Sequence, residues 1–349
     1  MKRPLLLSAG CLLLCGFGSC SRYIENKQAA RAVEASKKAE CQTLDDRAIG
    51  WEEERALGGA VGVHWVSDGG GLTTHPDQKA LHLQLNKIGR NLAAQSSRPT
   101  LPWVFGVLQS EGVNAVSGPG GYVFVTEGLL ARLDDEAQLA GVLAHEISHI
   151  TRKHALNEYQ RYLKDECVRA AESEGWRAEQ ALASEGFAYA GQHVGSTASA
   201  VLEKLSWGQW GEVIAQVTRS AVRSLNIDQV SDAIVRKLMK GFLDAMTDKG
   251  LSEADEYAAD LDAVELMAAA GYSPDAYLTF LTKLPDKGLF TPHPSKKKRR
   301  ERLAAHLERL RQAERDHPTG FGSSVVLSNT ALIPLRDELR ARQPGAAAP

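Results

Sequence analysis

The chain has 349 residues, 43% of them hydrophobic and 24% charged, with a formal net charge of −2. This ordinary globular composition excludes a disordered polymer, and the mild acidity excludes the basic footprint of a nucleic-acid binder. Beyond the N-terminus no apolar run is long enough to cross a bilayer, which excludes a multi-span membrane protein.

The N-terminus reads as an export signal. Lys2 and Arg3 precede an apolar run from about Leu5 to Phe17 that is short for a membrane span and ends in small residues. Gly18-Ser19-Cys20 has the form of a bacterial lipobox, so residues 1–19 are expected to be removed and Cys20 to carry lipid that attaches the protein to a membrane. Losing Lys2 and Arg3 moves the formal charge from −2 to −4. Cys41 and Cys167 would then be left over; in an oxidising periplasm they either pair or remain two separate buried thiols.

Residues 20–50 form a polar, mostly helical lead into a domain expected over residues 51–318. Within it, Tyr122-Val-Phe-Val-Thr126 is a β-branched and aromatic run entered through Gly120-Gly121, and reads as a strand. Such a strand either borders a cleft and pairs with an extended peptide, or lies inside a sheet with both edges occupied.

The next helix carries the chemistry. Leu139, Leu143, Ile147 and Ile150 form its core stripe, Asp134 or Asp135 can cap it, and Asp135 with Gln138 has capping-box spacing. It contains His145-Glu-Ile-Ser-His149. Histidines four apart share a helix face and can close on one zinc ion, and Glu146 is placed to take a proton from water there and return it to a leaving amine. If the helix continues unbroken, His154 lies about 900° beyond His145, on the opposite face. That keeps it off the metal and leaves it a structural role or contact with a ligand.

Catalytic zinc takes three protein ligands and keeps one position open. The best third candidate follows Ser252, which caps a later helix with Asp255 at the capping-box position and Tyr257, Leu261, Val264 and Ala268 as core stripe. Glu256 and Asp260 share a face beside that stripe. Glu256 could ligate the metal and Asp260 could accept a hydrogen bond from the distal nitrogen of a ligand histidine; a solvated acidic face is the plain alternative.

Between the two helices, residues 160–248 read as a helical insertion, with patterns around 200–222 and 227–247 and Trp207 and Trp210 on the first. It is either a cap that shields the core or a lid over the cleft. The run from Lys296 to Arg300 opens a helix bearing Leu303, Leu307 and Leu310 and reads mostly as a solvated face. Residues 319–349 form a loosely attached tail.

Several motifs in order carry a family resemblance. They are Glu53-Glu-Arg-Ala-Leu-Gly58, the stretch from Val113 to Leu130, Leu143 to Ile150 with Arg152-Lys-His154 behind it, Glu256 to Asp260 followed by Gly271-Tyr-Ser-Pro274, and His293-Pro294 with Arg299. From about Trp51 to Leu310 the chain resembles the HtpX, Oma-type and CAAX-prenyl-protease zinc metallopeptidases (metallopeptidase family forty-eight), and within them the periplasmic lipoprotein branch. The resemblance implies an α+β, predominantly helical gluzincin-type domain with a small edge β-sheet. It implies one Zn2+ per chain on His145, His149 and Glu256, with Glu146 as general base and acid. Asp260 would stand behind a ligand, and His293 and Arg299 are further catalytic candidates near the site. The implied activity is endopeptidase cleavage of unfolded or misassembled periplasmic and outer-membrane proteins, from a lipid anchor in the outer membrane, with the outer-membrane assembly machinery as a candidate partner. The alternative is an assembly chaperone or scaffold in which zinc mainly holds the fold.

Overall fold

Apolar residues recur at helical spacing over most of the chain, and β-branched runs are confined to one short region, so helices dominate. The computed structural model describes residues 17–44, 47–188, 242–243, 250–284 and 296–316. Most of the expected signal sequence, the helix expected at 200–222 with Trp207 and Trp210, all but residues 242–243 of the helix expected at 227–247, His293 and the tail lie outside the described residues.

The chain divides into two units, residues 1–48 with 159–212 and residues 49–158 with 213–349. In the first, helix α1 (Phe17–Gln42) passes through Cys20, and Cys41 is disulfide-bonded to Cys167, 126 residues away, with the Cα atoms 5.8 Å apart. Lys38 of α1 pairs with Glu34 and, across to the later segment, with Glu172, at 2.7 and 2.9 Å.

The second unit opens with α2 (Trp51–Asp68) and α3 (Gln78–Ala94). Strands β1 (Val104–Leu108), β2 (Ala115–Gly118) and β3 (Tyr122–Thr126) follow and form a sheet in the order β1-β3-β2. β1 is parallel to β3 with Val104 opposite Tyr122, and β2 is antiparallel with Ala115 opposite Val125. The run at 122–126 is therefore the central strand with both edges occupied, and cannot be the strand that receives a substrate backbone. Among the described residues β1 and β2 each have a strand neighbour on one side only, and the other side of β1 is bridged by Leu72 opposite Leu108.

The turn from β2 to β3 needs glycine. Gly120 and Gly121 have φ of 72° and 97°, a region where a Cβ clashes. The Glu53–Gly58 segment docks on this turn. Glu54, buried in α2, accepts from the Gly120 amide at 3.1 Å and is held by both guanidinium nitrogens of Arg98 at 2.8 Å each.

One short helix, α4 (Glu127–Leu130), leads into the core helix α5 (Glu136–Thr151). Asp135 caps α5, accepting from the Gln138 amide at 2.8 Å, while the Gln138 side chain reaches back to Asp134 rather than closing the box on Asp135. Every residue from Glu136 to Ile150 is buried, not the Leu139–Ile150 stripe alone. α7 (Glu253–Ala269), α8 (Pro274–Phe280), α3 and β2 pack around it. A helix enclosed on all sides can hold polar groups only where partners meet them.

α5 does not continue to His154. Lys153 takes the left-handed conformation, φ 59°, and α6 (His154–Ala188) starts at the next residue. The expectation that His154 lies on the far side of one helix fails for this reason. Arg152, at the break, is gripped by Asp262 of α7 at 2.5 and 2.6 Å. Of the expected stripe on α7, Tyr257 and Val264 are buried but Leu261 and Ala268 only half-buried, and the buried face extends to Glu256, Ala259, Asp260, Ala263 and Met267. Ala259 and Ala263 are small enough for close approach to α5, which puts the two carboxylates in the interface rather than beside it.

Gly141 of α5 is a second place where only glycine fits, because a Cβ there would meet the Tyr277 Cβ and ring at 2.6–2.8 Å. Gly141→Ala gains up to about 1 kcal/mol of helix propensity but overpacks the α5–α8 contact, which costs about 1–3 kcal/mol. A net loss of stability is expected in urea unfolding; an unchanged midpoint would show that Tyr277 gives way.

Candidate metal centre

α5 supplies two imidazoles and α7 a carboxylate. The Nε2 atoms of His145 and His149 are 3.0 Å apart, and each lies 3.5 Å from an oxygen of Glu256. All three side chains are buried and their ligand atoms fall within 4.8 Å of one another. Atoms held tetrahedrally at about 2.0–2.1 Å from one ion should lie about 3.3 Å apart. The observed spacings bracket that value, so the set fits a single metal ion.

The charges fit as well. Glu146, Glu256 and Asp260 are buried carboxylates and Arg299 is a buried cation, so with neutral imidazoles the formal charge is 1 − 3 = −2, the complement of a divalent ion. Glu146 differs from the other two acids. Among the described residues no hydrogen bond or ion pair engages it, although it is 5% exposed.

Behind the imidazoles lies a layer of acceptors. Asp260 Oδ1 stands 3.0 Å from His145 Nδ1, the nitrogen that points away from Glu256. Asp260 is held by Arg299 of α9 (Lys296–Asp316), which donates from Nε at 2.8 Å and Nη2 at 2.6 Å, and by the Tyr277 hydroxyl, which donates at 2.9 Å. Arg299 also donates to the Tyr277 hydroxyl at 2.8 Å and its Nη1 is 3.8 Å from Glu256. Its neighbours on α9, Lys297, Lys298 and Arg300, are exposed, so the basic run is a solvated face with one member turned inward. Leu303 and Leu307, on the same inner side, join the core.

The electrostatics follow from these contacts. Burial alone would raise Asp260, but the Arg299 guanidinium and the His145 ring hold its carboxyl well below the usual carboxylate range. Burial and the Arg299 charge oppose a second proton on His145, yet Asp260 and Glu256 outweigh them and raise its pKa from 6.5 to about 9. Burial pushes the Tyr277 phenol up, which keeps it a neutral donor to Asp260.

His145, His149, Glu256, Asp260 and Arg299 thus converge on one place, with Glu146 one residue along the same helix. The sequence shows no sign of one participant, Tyr277, and places another, His154, on the wrong face. Tyr277 sits one turn after Pro274, within a pattern that reads only as a short helix. For His154 the contact with a ligand candidate is present, made from the start of a new helix: its Nδ1 is 2.8 Å from His149 Nδ1.

A buried pentad of this kind, faced by a glutamate from a second helix, matches the metal-ligand pattern of the zinc metallopeptidases. The model of Peptidase family M48 matches residues 79–307, and the chain belongs to that family. Over 211 residues it is 24% identical to the beta-barrel assembly-enhancing protease of Escherichia coli (strain K12), covering 60% of this chain and 34% of that protein. Over 80 residues it is 38% identical to the beta-barrel assembly-enhancing protease of Yersinia pestis, with 22% and 16% covered. It is 35% identical over 80 residues to the mitochondrial metalloendopeptidase OMA1 of Schizosaccharomyces pombe, with 23% and 24% covered. The chain spans about a third of the length of the Escherichia coli relative.

Metal and proton compete for His145. With its pKa near 9, the ring gives up a proton when a cation binds below that pH. Apparent metal affinity is therefore expected to rise about tenfold per pH unit between pH 6.5 and 8.5, with proton release visible as buffer-dependent heat in calorimetry. A pH-independent affinity over that range would contradict the assignment.

Proposed function

We propose that this chain is a zinc-dependent endopeptidase of the bacterial cell envelope, cleaving misfolded or misassembled periplasmic and outer-membrane proteins. The observation that carries the reading is the conjunction of two imidazoles and a carboxylate at single-ion spacing with a neighbouring buried carboxylate, Glu146, that no described group engages. Zinc is the metal proposed because two imidazoles and one carboxylate are its common catalytic ligand set.

Bound zinc would polarise the scissile carbonyl and make water acidic enough to yield a nucleophile near neutral pH. Glu146 takes the proton of the attacking water and passes it to the leaving nitrogen. Asp260 fixes the ring of His145, and Arg299 with Tyr277 fixes Asp260, so Arg299 is a positioning residue in this scheme. The second side of β2, where no described strand pairs, is the edge proposed to receive an extended peptide backbone, since the outer side of β1 is bridged by Leu72; such pairing gives binding with little demand on side chains. A small pocket of about 20 Å³ lies beside it, walled by Ser117, Gly118, His149, Ile150 and Leu156 among others.

Placement in the envelope draws on different support. The lipobox at Gly18-Ser19-Cys20 argues for a lipid on Cys20, and the Cys41–Cys167 bond suits an oxidising compartment. No helix among the described residues is long and apolar enough to cross a membrane. The names of the relatives, proteases that enhance β-barrel assembly, motivate the proposed substrates and the outer-membrane location.

The test compares wild type with Glu146→Gln on an unfolded protein substrate. Cleavage should fall about 10²–10⁴-fold while zinc content, read by metal analysis, stays at one per chain. Equal cleavage by both forms would refute the mechanism. If neither form cleaves and the variant still supports outer-membrane assembly, a scaffold with structural zinc is the better reading.

A further inference from the structure

We infer that His154 is the positioning residue for His149, through a chain of contacts that runs from His149 to His154 to Asp255. The inference rests on the reading of His145, His149 and Glu256 as zinc ligands and goes beyond it to the residue that orients the second ligand.

The two imidazoles of the pentad face each other through Nε2. Each therefore presents Nδ1 to the protein behind, and a ring on a metal needs an acceptor there to fix its tautomer and its plane. For His145 that acceptor is the Asp260 carboxylate. On the His149 side His154 Nδ1 lies 2.8 Å from His149 Nδ1, with the rings inclined at 67°. Two nitrogens at this distance share one proton between them. If His149 uses Nε2 for the metal, it must carry hydrogen on Nδ1, so His154 must accept there and hold its own hydrogen on Nε2. That Nε2 lies 3.4 Å from Asp255 Oδ1, and the other oxygen of Asp255 accepts from the Ser252 hydroxyl at 2.7 Å.

The backbone is built to deliver this contact. Two residues of turn, Arg152 and Lys153, separate α5 from α6, and the left-handed Lys153 reverses the chain so that His154, 5% exposed, comes back against the last turn of α5. Asp255 is the residue before Glu256, so the chain of contacts joins the second imidazole to the start of the helix that bears the third ligand. The ligand pair is thus oriented from two sides by unlike acceptors, a carboxylate behind His145 and a neutral imidazole behind His149.

The experiment uses the full chain and Zn2+ alone, titrated against a chromophoric chelator. His154→Asn keeps an acceptor where Nδ1 stood and should bind Zn2+ within a few-fold of wild type. His154→Leu removes it and should bind about 10–100-fold more weakly, with a matching change in the visible spectrum of the Co2+-substituted protein. Long-range proton–nitrogen NMR of the zinc-loaded wild type provides a reading that needs no variant: His149 should carry hydrogen on Nδ1 and His154 on Nε2. Wild-type affinity in the leucine variant, equal losses in both variants, or hydrogen on His154 Nδ1 would each overturn the inference while leaving the metal site intact. A wild type that binds no Zn2+ would overturn the metal site and the inference together.

Discussion

The carboxylate of Asp260 is the point to which four helices are tied. It lies on α7, receives two hydrogen bonds from Arg299 on α9 and one from Tyr277 on α8, and faces His145 on α5. A buried ion pair of this kind adds little net stability over an apolar contact, because both charges must leave water. Its effect is on geometry: with three donors in fixed directions, the four helices have one arrangement in which the charges of Asp260 and Arg299 meet. The same arrangement sets Glu256, one turn before Asp260, at ligand distance from both imidazoles.

Small residues make that arrangement possible. Ala259 and Ala263 let α7 lie close to α5, and Gly141 leaves room for the Tyr277 ring. On the other side of α5 the sheet is fixed by the docking of Glu54 and Arg98 at the Gly120-Gly121 turn. The polar site is therefore enclosed by tight packing, which fixes side-chain positions more firmly than loops would and keeps competing water away from the buried charges.

Local features were readable in the sequence and non-local ones were not. The pentad spacing, the Ser252 and Asp135 caps and the strand at 122–126 are set by neighbours within four residues, and each has its expected local form. The strand order is decided by pairing across the sheet, so nothing in 122–126 told edge from centre. The left-handed turn after α5 falls on Lys153, where no glycine or asparagine announces it, and a helix that appears to run on puts His154 on the wrong side. Arg299 is one of five consecutive basic residues, and only the helix phase relative to Leu303 separates it from its exposed neighbours. Tyr277 carries no polar neighbour in sequence that would mark its hydroxyl as a partner for Asp260. The Cys41–Cys167 pairing was one of two options that spacing left open, and the chain forms the bond.

That bond closes a covalent ring of backbone running from Cys41 to Cys167, and His145, Glu146 and His149 lie inside it. Glu256, Asp260 and Arg299 lie downstream of Cys167. A single backbone cut anywhere within the ring leaves two polypeptides that remain one molecule, with Cys20 on one piece and the downstream carboxylates on the other. While the disulfide stands, such a nick cannot by itself shed the half that bears Glu256 from the half that bears the N-terminus. The linkage makes the unit that survives such a cut larger than the unit of continuous backbone.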